Sequence, residues 1–280
     1  MIKHIFIFTW DRYHTITTPQ FFEACGLDYR VLIHNDDHAA KYFEAAKFPR
    51  EKAIVTNVQK GLAHNRNWAL DQIPDDEWSL FFVDDFVNMT ELDEYDSFKE
   101  DKLPVDTTNS TYWGKKLKAE IDACTFMQRC EECTAKADAE GIKLVGFACF
   151  ENPLFRAAKW KYNSLADGRA LLIKKSALRF DINAQLIDDY AFTALNLKTF
   201  GKVILNQWIL PNCKRYSDGG YGSKETRMVQ KMAECKYLVE TYPDFIAYAD
   251  KKGWPDKSHI TIRHRKQDFF TNNLNLNKLF

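Results

Sequence analysis

The sequence has no surplus of either charge, since Lys plus Arg and Asp plus Glu number 39 each. The field of the whole molecule gives no attraction to a polyanion, so any contact with nucleic acid has to come from local basic patches. No apolar stretch reaches the length of about 18 residues that a membrane-spanning helix needs. The apolar run in "MIKHIFIFTWDR" is too short for a secretory signal and closes on charges. A paired-cysteine framework is also missing: seven cysteines in 280 residues are an odd number, which reads as reduced thiols inside a cell. Cys130 and Cys133 form the only close pair, and without a second pair they read as ordinary helix residues rather than a zinc or redox site. Internal repeats and low-complexity tracts are absent as well. The expectation is a soluble cytoplasmic protein with no membrane partner.

What the chain does have is apolar material. Its 45% hydrophobic content, with 14% aromatic, suffices for a real core. Short apolar and β-branched runs recur at 4–10, 29–35, 53–56, 79–85, 143–150, 169–175 and 202–207. Helical patterns lie at 19–25, 38–47, 61–72, 115–140, 188–199 and 223–240. Strands separated by helices predict an α/β fold with a mostly parallel sheet covered on both faces. The polar, turn-rich stretch 91–114 reads as a loop or insertion. One domain spans 1–280, with a nucleotide-binding half at 1–90, an insertion and long helix at 91–142, and a second half with a loop-rich tail at 143–280.

In open α/β sheets ligands bind beyond the carboxyl ends of the strands, so the residues that follow each run carry the information. They are Thr9, Asp11 and Arg12 after the first, Asn35, Asp36 and Asp37 after the second, and Asp84 and Asp85 after the fourth. The fourth run, "WSLFFVDDFVNM", passes from buried-type residues to two carboxylates within one step. Burying unpaired carboxylates is costly, so the pair belongs at a strand end that faces a ligand, a cation or water. A solvated turn is the alternative at any single strand end. In "KGLAHNRNWAL", Gly61 permits a close approach to a helix start, while Arg66 and Asn67 on its first turns suit a phosphate. The other reading of that segment is a surface helix with Arg66 in solvent. Asp188 and Asp189 open an amphipathic helix, either as caps that offset its dipole or with one of them as a general base. Basic residues gather in two later segments, Lys214, Arg215, Lys224 and Arg227 in the first and Arg263, His264, Arg265 and Lys266 in the second. Either His259 or His264 is suited to complete a metal shell, although a lone histidine is more often structural.

The ordered series resembles the GT-A glycosyltransferases over roughly residues 2–207. It comprises "FTWDR", an acid after strand two, Gly61 through Asn67, "FFVDDF" and "IDDYAF". The resemblance implies a GT-A-like, Rossmann-like mixed sheet and a UDP-sugar donor. Asp36 or Asp37 would then face the base, Arg66 the diphosphate, and Asp84 and Asp85 the ribose and a divalent metal, manganese or magnesium. Asp188 or Asp189 would act as the acceptor-side base. Phe86 departs from the pattern, because the third position of the aspartate motif usually carries a carboxylate or polar group. Either Asp85 takes over the metal, or the enzyme relies less on a cation.

With the tail "SDGGYGSKETRMVQKMAECKYLVETYP", the chain is similar more narrowly to bacteriophage glycosyltransferases of the TET-associated type. That likeness implies transfer of glucose or a pentose such as arabinose to the hydroxyl of 5-hydroxymethylcytosine in double-stranded DNA. The two basic segments would hold phosphates, with Lys115, Lys116 and Lys118 as a further patch. A glycan or protein hydroxyl as acceptor, or a non-catalytic DNA- or nucleotide-binding module, are the competing readings.

Overall fold

The computed structural model describes residues 2–45, 47–92, 118–150, 159–214, 224–249 and 259–263. The seven apolar runs all become strands of one eight-stranded sheet, joined by a short additional strand. They are β1 (His4–Phe8), β2 (Arg30–Ile33), β3 (Ala53–Val55), β4 (Trp78–Val83), β7 (Leu144–Phe147), β8 (Trp160–Tyr162), β9 (Ala170–Lys174) and β10 (Ile204–Asn206). Their order across the sheet is β3-β2-β1-β4-β9-β7-β10-β8. β9 runs antiparallel to both β4 and β7, and β8 antiparallel to β10, while the β1–β2, β1–β4, β2–β3 and β7–β10 pairs are parallel. The sheet is therefore mixed and mostly parallel. A mixed, mostly parallel sheet was expected, and β9, which β8 rather than a helix precedes, is one of its antiparallel strands.

Continuous apolar runs reflect burial on both faces. Ile5 and Ile7 of β1 and Leu80 and Phe82 of β4 enter one core with Phe22, Tyr42 and Phe126. Phe6, Phe8 and Phe81 enter the other with Leu70, Phe192 and Leu238. The first core is covered by α1 (Thr18–Glu23), α2 (Asp36–Ala45) and α4 (Ala123–Ala139), the second by α3 (Leu62–Asp71), α5 (Asp188–Phe200) and α6 (Lys224–Thr241). Cys130 and Cys133 lie fully buried in the first core, as side chains of an ordinary helix. Among the described residues no helix is long and apolar enough to cross a membrane.

A second sheet, β11-β5-β6, joins β5 (Phe86–Leu92), β6 (Lys118–Ile121) and β11 (Ile209–Cys213). A third pairs β12 (Ile246–Tyr248) with β13 (Ile260–Ile262). The helix expected over 115–140 is shorter than its pattern. Lys118–Ile121 pair instead with Met89–Leu92, and Asp122 then caps α4 by accepting from the Thr125 N–H at 2.7 Å. Of the loop expected over 91–114, Glu91 and Leu92 belong to β5 and the rest lies outside the described residues.

Phe86, the residue that breaks the aspartate motif, is a core side chain. It is 3% exposed and lies 4.5 Å from the Phe21 ring and 5.3 Å from Phe82. Truncation to alanine should therefore cost about 3–5 kcal/mol of stability, read as a lowered urea midpoint. An unchanged midpoint would mean that this ring does not anchor the start of β5.

Candidate functional site

β2 and β3 extend from one side of β1, and β4 lies on its other side. The crevice between the carboxyl ends of β1 and β4 is thus the topological switch point where α/β sheets bind ligands. Thr9, Arg12, Asp84 and Asp85 meet there. Arg12 Nη1 donates to Asp84 Oδ1 at 2.6 Å and lies 3.0 Å from Asp85 Oδ2. Thr9 Oγ1 donates to Asp84 Oδ2 at 2.5 Å, and Tyr42 Oη, 2.5 Å from Thr9 Oγ1, accepts the Arg12 N–H at 2.9 Å. Because Thr9 spends its proton on Asp84, Tyr42 donates to Thr9, which fixes the direction of the relay. Burial would lower the Arg12 pKa, but the charges of Asp84 and Asp85 outweigh it and raise it. Asp11, with φ 50°, turns the chain so that Arg12 returns over the pair. Aspartate tolerates that left-handed geometry better than most residues. Backbone contacts hold the motif as well: Asp84 O accepts from Thr17 and Thr18 N–H at 3.0 and 3.4 Å, and Asp85 O accepts from Lys214 N–H at 2.9 Å.

The Gly61–Asn67 segment has a different job from the one its pattern suggested. Arg66 is 1% exposed. Its Nη1 reaches both oxygens of Asp188 at 3.0 Å, and its Nη2 donates to Gly168 O at 2.7 Å. The guanidinium lies 5.1 Å from the Phe180 ring and 5.7 Å from Phe8. Asn67 makes a two-way bond with the Phe180 backbone, at 2.9 and 2.7 Å. At Gly61, with φ 140°, a Cβ would overlap the Gln185 side chain, whose Oε1 accepts from Ala63 N–H at 3.2 Å. Gly61, Arg66 and Asn67 therefore bind the second half of the chain, and Arg66 is neither in solvent nor turned to a diphosphate. Asp36 and Asp37 lie exposed on the first turn of α2, after Asn35, whose Oδ1 accepts from His38 N–H at 2.9 Å. They offset the helix dipole there.

The structure separates the two acids of the second pair. Burial raises the Asp188 carboxyl above its ordinary range, even though Arg66 pulls it down. A guanidinium so fully enclosed requires its counter-charge, so Asp188 stays ionised and engaged. Asp189 is partly exposed. Its Oδ2 accepts from Gly168 N–H at 3.0 Å and its Oδ1 from Tyr190 N–H at 2.9 Å. Burial, then the charges of Asp167 and Asp188, push its carboxyl up to about 7, the range that suits a general base. Asp167 is itself held by Arg169, at 2.7 and 3.1 Å. Arg169 O accepts the Val83 N–H at 3.1 Å, one residue before Asp84. The β4–β9 pairing thus links the backbone that precedes Asp84 to the Asp167–Arg169 segment that holds Asp189.

Aromatic groups surround the same crevice. Trp10 lies 4.6 Å from His34 and 5.1 Å from His38, with Lys60 Nζ 5.2 Å from its ring. Burial lowers the His34 pKa. A pocket of about 190 Å³ opens beside them, between Trp10, Arg12, Asn65, Asp84 and Gln185. The strand-end rule finds Trp10 and His34 when it is applied to aromatics as well as to acids. Nothing in the sequence places Tyr42, Asp167, Gly168 or Arg169 beside them.

The metal and nucleic-acid expectations fall unevenly. Among the described residues no three His, Cys, Asp or Glu side chains form a group that could hold a metal ion. Asp84 and Asp85 are instead engaged by Arg12 and Thr9, and these residues as arranged do not fit a divalent cation. His259 uses its carbonyl to accept from Ala249 N–H at 2.9 Å, and Arg263 follows β13, exposed. Lys214 is exposed at the end of β11, and Lys224 and Arg227 begin α6. His264, Arg215, Arg265, Lys266, Lys115 and Lys116 lie outside the described residues, as do the side chains of Lys118 and Lys224.

No protein-family model matches the chain, and no curated protein matches it.

The two acids of the second pair should respond differently to amide substitution. Asp188→Asn strands a buried guanidinium and should cost about 3–5 kcal/mol in urea denaturation, whereas Asp189→Asn should stay within about 1 kcal/mol. Equal losses would refute the division of labour.

Proposed function

We propose that the protein is a glycosyltransferase that moves a sugar from a UDP-sugar to a hydroxyl, with 5-hydroxymethylcytosine in double-stranded DNA as the acceptor. The observation that carries this reading is the divergence in environment between the two acid pairs. Asp84 and Asp85 are fixed by a cation at the switch point, Asp188 is spent on Arg66, and Asp189 is held near neutrality. Environments that push carboxylates apart mark acid–base assignments, and a switch-point crevice next to them suits a nucleotide.

In this mechanism the donor lies along the carboxyl ends of β1 and β4 with its base against Trp10. Arg12 Nε, buried and without a hydrogen-bond partner among the described residues, supplies a donor for the diphosphate. Asp189 takes the proton of the acceptor hydroxyl as its oxygen forms a bond to the anomeric carbon. The bond from that carbon to the diphosphate breaks, UDP leaves, and the proton passes from Asp189 to water. The resemblance to DNA-base glycosyltransferases supplies the acceptor, and a flipped base would bring its hydroxyl to the cleft. Lys214, Arg227 and Arg263, with Arg215, Lys224, Arg265 and Lys266 along the same segments, provide phosphate contacts.

Incubation with a panel of UDP-sugars and DNA containing 5-hydroxymethylcytosine should add one sugar mass to that nucleoside. Donor consumption only with a glycan or protein acceptor would overturn the DNA assignment, and consumption with no acceptor class would overturn the transferase reading. If about four phosphates are contacted, the logarithm of DNA affinity should fall with that of salt at a slope of about −3.6. The rate should drop about tenfold per pH unit below 7, where Asp189 is protonated, and level off above it. Asp189→Asn should remove that limb together with the activity, and nucleotide binding should survive.

A further inference from the structure

The Asp84–Asp85 pair carries its own cation. A single terminal nitrogen of Arg12 spans both carboxylates, at 2.6 and 3.0 Å. The other oxygen of Asp84 accepts from Thr9, which Tyr42 holds in turn. The Asp84 side chain is 3% exposed and that of Arg12 16%, so the interaction is largely shielded from water and salt. Magnesium or manganese at this place would need those oxygens to turn away from Arg12 and Thr9, and about six oxygen ligands in all. The third position of the motif contributes none, because the Phe86 ring is packed between Phe21 and Phe82. Arginine does not make room by losing its proton. A metal ion can enter only after two charge-assisted bonds break and a mostly buried guanidinium moves.

We propose that Arg12 occupies the position of a divalent cation between Asp84 and Asp85, so that manganese or magnesium binds this pair only when Arg12 is withdrawn. The inference goes beyond the transferase reading and does not depend on it, since metal uptake is read without donor or acceptor. It makes Arg12 a positioning residue for the two acids, and it accounts for a hydrophobic residue at the third position, where no further ligand is needed.

Manganese titration of the full chain, followed by the electron paramagnetic resonance signal of the free ion, tests it. The wild-type protein should leave the signal unchanged in the range where Arg12→Gln removes free manganese with an affinity at least about tenfold higher. Adding Asp84→Asn to Arg12→Gln should abolish that gain, and Arg12→Lys, which keeps the charge, should behave as the wild type does. Wild-type protein that takes up one manganese and loses it on Asp84→Asn would overturn the proposal. That comparison needs no Arg12 variant, so it stands even where Arg12→Gln does not fold. Arg12→Gln that folds but gains no manganese would overturn it equally.

Discussion

The buried ion pair between Arg66 and Asp188 is the contact on which the rest of the site depends. It joins α3, from the first half of the chain, to the start of α5 in the second, and its Gly168 bond ties both to the approach of β9. A residue with a side chain at 168 would press on this pair: a Cβ there would lie 3.1 Å from Arg66 Nη2 and 3.3 Å from Asp189 Cβ. Because a buried charge that loses its partner is far more costly than a buried charge that keeps it, the pair tolerates little variation in position. With Arg66 fixed, Asp188 is fixed, and the adjacent Asp189 has one place to go.

A second set of contacts does the same work at the end of β4. Thr17 and Thr18 direct their N–H groups to Asp84 O, Thr18 Oγ1 donates to Val83 O at 2.6 Å, and the Thr17 hydroxyl donates to Phe86 O. These bonds hold the backbone on either side of the acids while Phe82 and Phe86 pack below it. An apolar strand can therefore end in two carboxylates without a break in the core, since the Phe86 side chain that follows the pair returns at once to the interior. Chemistry at the rim is held in place by packing beneath it, as a preorganised site requires.

Much of this was legible in the sequence, and the limits have a physical cause. Continuous apolar runs marked every strand of the large sheet except β8, a three-residue edge strand with little pattern to read. Helix starts at Leu62 and Asp188 were visible from a glycine and an acidic first turn. Strand ends gave Thr9, Arg12, Asp84 and Asp85 as neighbours, because parallel order places successive carboxyl ends side by side. Partnership across the chain was not legible. Arg66 and Asp188 stand 122 positions apart, and a sequence gives the charge of an arginine but not which anion it faces. The same blindness turned "GLAHNRN" from a latch into a phosphate loop. It also hid Asp122 as the cap that splits a strand from a helix, because Lys118–Ile121 suits either state and only pairing with β5 decides.

Two identical dipeptides, Asp84–Asp85 and Asp188–Asp189, thus have opposite chemistry. Each has one arginine. In the first, Arg12 reaches both carboxylates, which form a fixed rim with a cation inside it. In the second, Arg66 is turned entirely to Asp188, and Gly168 allows it to lie close. Burial raises the proton affinity of Asp189, and the like charges of Asp167 and Asp188 add to it, while its partners among the described residues are backbone N–H groups. The difference lies in the placement of one guanidinium, not in the acids. A dipeptide motif alone does not say which of its acids will be paired with a charge, and here the long-range partner of each acid decides that.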